Sequence, residues 1–466
     1  MTQLQTVAAD AWRTQIEAAI TQRGERFGGA WVTADRHWRA LLVKGADARV
    51  ISCQAGERVD SIVDLVPAAG WDEREAHDLH ALSFDGHDQL RALIEHPTQG
   101  ERWITPVRGD GVHQVAVGPI HAGVIESGHF RFHVVGERIL HLDTRLFYKH
   151  RGLEQAAVGS TPQEGLRHAG RACGACAVAN SLAYAHAVED ASGLWPSPEL
   201  RRQRTVLLEL ERVYNHLNDI SAICAGVGYA AGTMAFAAHK DRAQNLNARA
   251  FGHRFLFGSV AVGGAARALP APAAAELRGG LAELRGDVLA SWRELEFAGS
   301  LHARMDAVGV LPAEAALRLG TVGPAARAAG VAIDARVGER RLEYDALRPA
   351  AAPRPDGDVE ARFQMRAAEL EVSFELLDEL LRAPLPASAA TRGLRASPVG
   401  VGRVESPRGE TVCIVELQAG RVGRLHLRSA AYANWPSVAH ASAGNLLPDF
   451  PLINKSFELC YACCDR

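Results

Sequence analysis

The 466-residue chain has no uninterrupted apolar run of about 18 residues, the length a membrane-spanning helix needs. The nearest candidate, GVGYAAGTMAFAAHK, is short, broken by glycine and ends in charge. The opening stretch MTQLQTVAADAWRTQIEAAI has no basic segment followed by an apolar core, so it reads as an amphipathic helix rather than a secretory leader. An excess of charge of one sign is also lacking: 51 Lys and Arg stand against 54 Asp and Glu, a net charge of -3. That balance argues against nucleic acid or an acidic membrane surface as partner. No internal repeat and no low-complexity tract appears beyond an enrichment in alanine. The expectation is a soluble globular chain, 47% hydrophobic and 23% charged, that docks on a membrane only through a partner.

Cysteine is present, and unevenly so. Three of the eight, Cys460, Cys463 and Cys464, fall in the last seven residues. Without a leader, eight cysteines point to a reducing compartment, where paired cysteines are more often metal ligands or redox groups than disulfides. Cys53, Cys224 and Cys413 lie in apolar or strand-like settings and are expected to be buried small hydrophobes. The others form two C-x-x-C pairs: Cys173 and Cys176 around Gly174, and Cys460 and Cys463. That spacing lets two thiolates converge on one ion, and soft thiolates select zinc, iron or nickel. A zinc ribbon keeps its pairs within roughly 20 residues; here most of the chain separates them. A thioredoxin-like motif needs a βαβ context, whereas the first pair opens a helical segment and the second has no helix after it. A four-thiolate site built from both ends of the chain fits better, with a structural zinc site as the alternative.

Residues 1–110 mix short strands (AWVTADRHWRALLVKG, ARVISCQAG) with a helix, WDEREAHDLHAL, whose charge lies on one face. The stretch VHQVAVGPIHAGVIESGHFRFHVVGERILHLDTRLFY alternates apolar and polar residues between glycines, the pattern of a small antiparallel sheet. From about 170 to 330 apolar residues recur at helical spacing. RPAAAPRPDGD is a proline-rich loop, GDVEARFQMRAAELEVSFELLDELLRA another long helix, and GVGRVESPRGETVCIVELQAGRVGRLHLRSA returns to hairpin strands. The fold class expected is α+β. A small α+β domain, 1–110, precedes a large, mainly α-helical bundle with small antiparallel β elements, 111–466.

RACGACAVANSLAYAHAVE and CYACCDR resemble the paired-cysteine motifs of nickel–iron hydrogenase large subunits. VPAAGWDEREAHDLHALSFDGHDQLRALI is similar to the small soluble complex I subunit that precedes the quinone-pocket subunit. GPIHAGVIESGHFRFHVVGERI, YKHRGLE, LNARAFGHRFLFG, VESPRGE and GDVEARFQMRAAE resemble the quinone-pocket subunit and its hydrogenase relatives. The resemblance covers nearly the whole chain, and the fusion of both parts is typical of the formate-hydrogenlyase type of membrane-associated hydrogenase. Complex I itself lacks the four cysteines.

The resemblance implies nickel held by four thiolates beside an iron carrying carbon monoxide and cyanide. Cys173 and Cys460 would be terminal nickel ligands, Cys176 and Cys463 bridging ones. Hydrogen would split heterolytically, with Cys460 as first proton acceptor, because a terminal thiolate is less neutralised than one shared by two metals. Arg408 would sit over the metal pair and Glu126 would relay protons, if burial lifts its pKa. Read alone, Arg408 would be a surface partner of Glu405 or Glu410, and Glu126 a solvated turn residue. His121 falls where complex I has a quinone-facing histidine, and Glu154 is expected to pair structurally with an arginine. The resemblance further implies an iron–sulfur small subunit, since the chain has no spare cysteine cluster for an iron–sulfur centre of its own. Membrane-embedded complex I-like subunits and a formate- or carbon-monoxide-oxidising module would complete the assembly, on the cytoplasmic face of the cell membrane. The alternative is a complex I-like oxidoreductase subunit without hydrogenase activity.

The chain departs from the hydrogenase pattern at Asn180, usually histidine, at Glu458-Leu459, usually Asp-Pro, and at Cys464, usually a small residue such as threonine. These positions orient ligands and tune metals. In the family a precursor extension is cut off just after the basic residue that follows the last cysteine motif. Arg466 occupies that position, so the expectation is a processed end or a variant made without the extension.

Overall fold

The computed structural model describes residues 3–94, 103–120, 126–344, 355–393 and 396–466. His121 and most of the proline-rich stretch lie outside the described residues.

The chain opens with a strand, not with the expected helix. β1 (Gln3–Val7) pairs in parallel with a later strand, Gln3 opposite Arg49 and Val7 opposite Cys53. Gln-Leu-Gln-Thr-Val alternates at period two, but five residues are too few to stand out before a helical pattern. The amphipathic helix begins at α1 (Trp12–Thr21). β2 (Arg26–Val32), β3 (His37–Lys44) and β4 (Asp47–Gln54) complete a four-stranded sheet in the order β1-β4-β3-β2. A short parallel pair, β5 (Arg58–Asp60) and β6 (Ser83–Asp85), flanks α2 (Gly70–His80). Trp12, Ile16, Trp38, Ile51, Cys53 and Phe84 form the core of this unit. The charge on one face of α2 is turned inward: Asp72, Glu73 and Glu75 are all buried.

The expected antiparallel sheet follows as β7 (Val112–Val117), β8 (His129–Val135) and β9 (Arg138–Arg145). Then the helices begin: α3 (Leu153–Ala157), α4 (Pro162–Gly170), α5 (Ala177–Ser192), α6 (Pro198–Val227) and α7 (Ala230–Phe251). Their ends are written in the sequence. Thr161 and Glu164 form a capping box at α4. Ser197 caps α6 ahead of Pro198, and the helix stops at Gly228 in the left-handed conformation. α8 (Ala271–Glu296), α9 (Gly299–Met305), α10 (Ala313–Arg318), α11 (Gly323–Ala328) and α12 (Val359–Leu380) complete the body, with α12 packed along α6.

The last section is a three-stranded sheet, order β14-β15-β16, of β14 (Val399–Ser406), β15 (Gly409–Gln418) and β16 (Arg421–Arg428). Between α5 and β14 run the short strands β10 (Leu194–Pro196) with β13 (Ala390–Arg392), and β11 (Val260–Ala261) with β12 (Gly264–Ala265). α5 lies directly on β14. A Cβ at Gly402 would come 1.9 Å from the carbonyl oxygen of Ala183, and one at Gly400 1.9 Å from that of Ala187. Glycine on the strand and an alanine row on the helix permit this contact. α13 (Ala430–Ser442), α14 (Phe450–Phe457) and α15 (Ala462–Asp465) end the chain.

The N-terminal sheet docks on the C-terminal one. Trp31, Leu41, Val43 and Val50 share an apolar cluster with Val399, Val401, Val412 and Ile414. Ion pairs rim it: Arg39 lies 2.8 Å from Glu416, and Glu410 accepts from both Arg26 and Arg403. The structure is thus the expected α+β arrangement.

Candidate metal centre

Cys173 lies in the loop between α4 and α5, and Cys176 immediately precedes the first turn of α5. Cys460 lies in the turn between α14 and α15, and Cys463 within α15. The fold brings the four sulfurs within 4.8 Å of one another, with 3.8 Å between Cys176 and Cys460. Cys173, Cys176 and Cys463 are buried, and Cys460 is partly exposed. Hydrogen bonds from Cys176, Cys460 and Cys463 draw the Cys173 thiol well below its usual pKa, while the same mutual contacts hold Cys176 and Cys463 well above theirs. So many thiols cannot all ionise unaided; a dication is what lets them do so together.

Helix α6 grips the first pair. The carboxylate of Glu211 accepts from the backbone N–H of Val178 at 2.6 Å and of Ala179 at 3.0 Å, capping α5 from outside. Asn215 donates to the Ala175 carbonyl at 2.8 Å, and the Tyr214 hydroxyl to that of Gly174 at 3.4 Å. Burial pushes Glu211 up to about 8 in spite of the two N–H donors.

Arg408 is not a surface residue, and it pairs with neither Glu405 nor Glu410. Its side chain is buried and held on three sides: Nη1 donates to Asn215 at 2.7 Å, Nη2 to Asp219 at 2.9 Å, and Nε to the Glu458 carbonyl at 2.9 Å. Burial works against its charge, but Asp219 first, and then the neighbouring Cys460 and Cys176, outweigh it and raise its pKa. Asp219, buried between Arg408 and Arg366, is held down at about 2. Sequence reasoning misses Asn215 and Asp219, although a signal exists. Glu211, Tyr214, Asn215, Asn218 and Asp219 recur at helical spacing, a polar stripe along one face of α6.

The departures from the hydrogenase pattern all sit at the site. Asn180 donates to Cys463 Sγ at 3.8 Å, while its own buried oxygen has no partner among the described residues. Glu458 adopts a left-handed backbone, φ 48°, and burial raises its carboxyl to about 7. Cys464 stands apart from the four-sulfur group; its thiol donates to the Cys460 carbonyl at 3.6 Å, and burial pushes its pKa well up. Glu154 pairs with an arginine as expected, Arg466 at 3.3 Å.

Cys173 and Cys460, one from each pair, open on a cleft of about 1200 Å³, lined also by Glu126, Tyr214, Asn218, Arg408 and Glu458. Glu126 is half-buried. Burial lifts its carboxyl above the usual range, and the charge of Cys173 adds to the lift although Arg151 opposes it. Four sulfur donors at this spacing suit a soft thiophilic ion or a pair of them, and the unpartnered oxygen of Asn180 leaves an acceptor beside Cys463. Among the described residues no helix is long and apolar enough to cross a membrane.

The chain is similar to known proteins over nearly all of its length. Residues 226–393 and 389–466 match the family described as the respiratory-chain NADH dehydrogenase 49 Kd subunit, and residues 32–114 the 30 Kd subunit of the same enzyme. Hydrogenase-4 component G of Escherichia coli K12 is 29% identical over 94% of this chain and 83% of that protein. An NADH-quinone oxidoreductase chain of Salinispora arenicola is 30% identical over 72% of this chain and 88% of that protein. Among solved structures, a chain of the membrane-bound sulfane sulfur reductase, an archaeal respiratory membrane complex, superposes with a TM-score of 0.70. The match covers 78% of this chain and all of that one at 23% identity, a likeness of fold. The chain belongs to the family of the respiratory-chain NADH dehydrogenase 49 Kd subunit, beside the complex I-related hydrogenase large subunits, and carries a 30 Kd-subunit-like domain fused in front.

Proposed function

We propose that the chain is the catalytic large subunit of a membrane-associated nickel–iron hydrogenase, interconverting H2 with protons and electrons. One observation carries the reading: two C-x-x-C pairs from distant parts of the chain converge within 4.8 Å, and Cys173 and Cys460 line a cleft with Arg408 and Glu126. When bound, nickel and an iron bearing carbon monoxide and cyanide supply the site at which H2 is split and formed. Cys173, Cys176, Cys460 and Cys463 would hold that centre through their sulfurs. Cys460, partly exposed where the other three are buried, takes the first proton at its Sγ. Glu126 passes it on, its raised pKa suiting a group that must both accept and release a proton. Arg408, fixed by Asn215, Asp219 and the Glu458 carbonyl, would supply a positive charge beside the four sulfurs.

The division into a domain at 1–110 and a catalytic domain at 111–466 is part of this proposal. So are its partners: an iron–sulfur small subunit as electron acceptor, membrane-embedded complex I-like subunits, and a formate- or carbon-monoxide-oxidising module. The chain itself is assigned no iron–sulfur cluster. It would sit on the cytoplasmic face of the membrane, held there by those subunits.

A second reading is a complex I-like oxidoreductase subunit without hydrogenase activity. The likeness to the Salinispora arenicola NADH-quinone oxidoreductase chain and the altered residues Asn180 and Leu459 favour it. Cys460→Ser in the intact complex separates the two. H2-driven reduction of a viologen dye is expected to be abolished; undiminished electron transfer to quinone without any response to H2 would favour the second reading.

A further inference from the structure

Away from the four sulfurs, another set of charges is sealed between the N-terminal domain and the large one. Glu75 on α2, Glu154 on α3 and His426 on β16 bring their polar atoms within 4.8 Å of one another. The guanidinium of Arg466 enters this group. It donates to Glu75 and to the Leu427 carbonyl, lies 3.3 Å from Glu154, and stands over the Tyr432 ring at 4.9 Å. Arg466 is 2% exposed and Glu75 5%. Arg424 of β16 and His80 of α2 face the same acids.

Arg466 lies three residues beyond Cys463 and less than two turns from Cys460. The rest of that segment is tied within the large domain: Asp465 accepts from the N–H of Phe147 at 2.8 Å, and Ser429 donates to the Cys463 carbonyl at 3.1 Å. Glu75 adds a tie from the other domain. Removing one partner of a buried ion pair leaves an uncompensated buried charge, which is costly even where the intact pair is worth little. With Glu75 neutral, Arg466 would share Glu154 with His426, 3.6 Å from that carboxylate, and its cheapest escape would be outward, taking the segment with it.

We propose that Glu75 is a positioning residue for the cysteine pair at 460 and 463. Through Arg466, the N-terminal domain holds the 460–466 segment where its thiols meet Cys173 and Cys176. Domain docking and closure of the four-thiol site are then one event. Glu75 governs where the sulfurs stand, not which metal they hold, so its role is tested apart from the hydrogenase reading.

The test is site-resolved alkylation of the full-length chain, reduced and freed of metal by a chelator, with iodoacetamide under native conditions and peptide mass spectrometry. In Glu75→Gln, Cys463 and Cys464 are expected to react about ten-fold faster or more than in wild type, as local opening of the segment requires. Cys53, Cys224 and Cys413, buried elsewhere, are expected to keep their protection. Glu75→Asp, which keeps the charge, is expected to restore most of the protection at Cys463 and Cys464. Unchanged Cys463 and Cys464, a rise at all cysteines alike, or Glu75→Asp as reactive as Glu75→Gln would each overturn the proposal.

Discussion

Arg408 is defined by its partners more than by its charge. A guanidinium fork meets an amide, a carboxylate and a carbonyl from two separate elements, which fixes its plane as an ammonium would not. The motif ESPRGE marks the position of this residue, but its ties to Asn215 and Asp219 depend on a helix almost two hundred residues earlier. Buried acids carry the other consequence at this scale. Burial raises Glu73 from 4.5 to about 7, against the hydrogen bonds of Ile62 and Ser61. The folded protein therefore keeps a proton that the unfolded chain releases above 4.5, so folding loses stability as pH rises from 4.5 toward 7. Glu73→Gln removes this dependence. Denaturant titrations are expected to show a flatter stability curve across that window, with a gain at pH 7 of up to about 3 kcal/mol relative to wild type.

At the scale of elements, the first cysteine pair is positioned by what α5 rests on. The alternating glycines of GVGR allow β14 to touch the backbone of α5 at Ala183 and Ala187. Gly402→Val forces the two apart. Unfolding free energy is expected to fall by about 2 kcal/mol or more, with weaker metal retention, measured by denaturant titration and elemental analysis. Gly174→Ala, between Cys173 and Cys176, meets nothing within 4 Å and is expected to stay within about 0.5 kcal/mol of wild type. Most elements were legible because local patterns suffice for them: Ser197 and Pro198 begin α6 and Gly228 ends it, and the hairpin strands alternate between glycines. β1 was not legible, because its partner β4 lies more than forty residues away and its own five residues carry little signal. The inward turn of α2 was hidden for a related reason. Charge on one helix face reads as solvated until a partner such as Arg428, 3.1 Å from Asp72, is known.

For the whole molecule, the distance in sequence between the two C-x-x-C pairs is the informative feature. A chain that folds its far end back against a loop near residue 173, and seals that end beneath a second domain through Arg466, has built a site that cannot form locally. The two pairs were readable as text, and so was their convergence on one centre. The gripping stripe of α6 and the contribution of α2 were not, since both depend on long-range packing. The family likeness spans hydrogenases and quinone-linked oxidoreductases alike, so the chemistry rests on what the four thiolates hold. Infrared spectroscopy of the intact, matured complex, combined with elemental analysis, tests that most directly. The account predicts bands from metal-bound carbon monoxide and cyanide together with one nickel and one iron per chain. A complex that carries zinc alone, or shows no such bands, would contradict it.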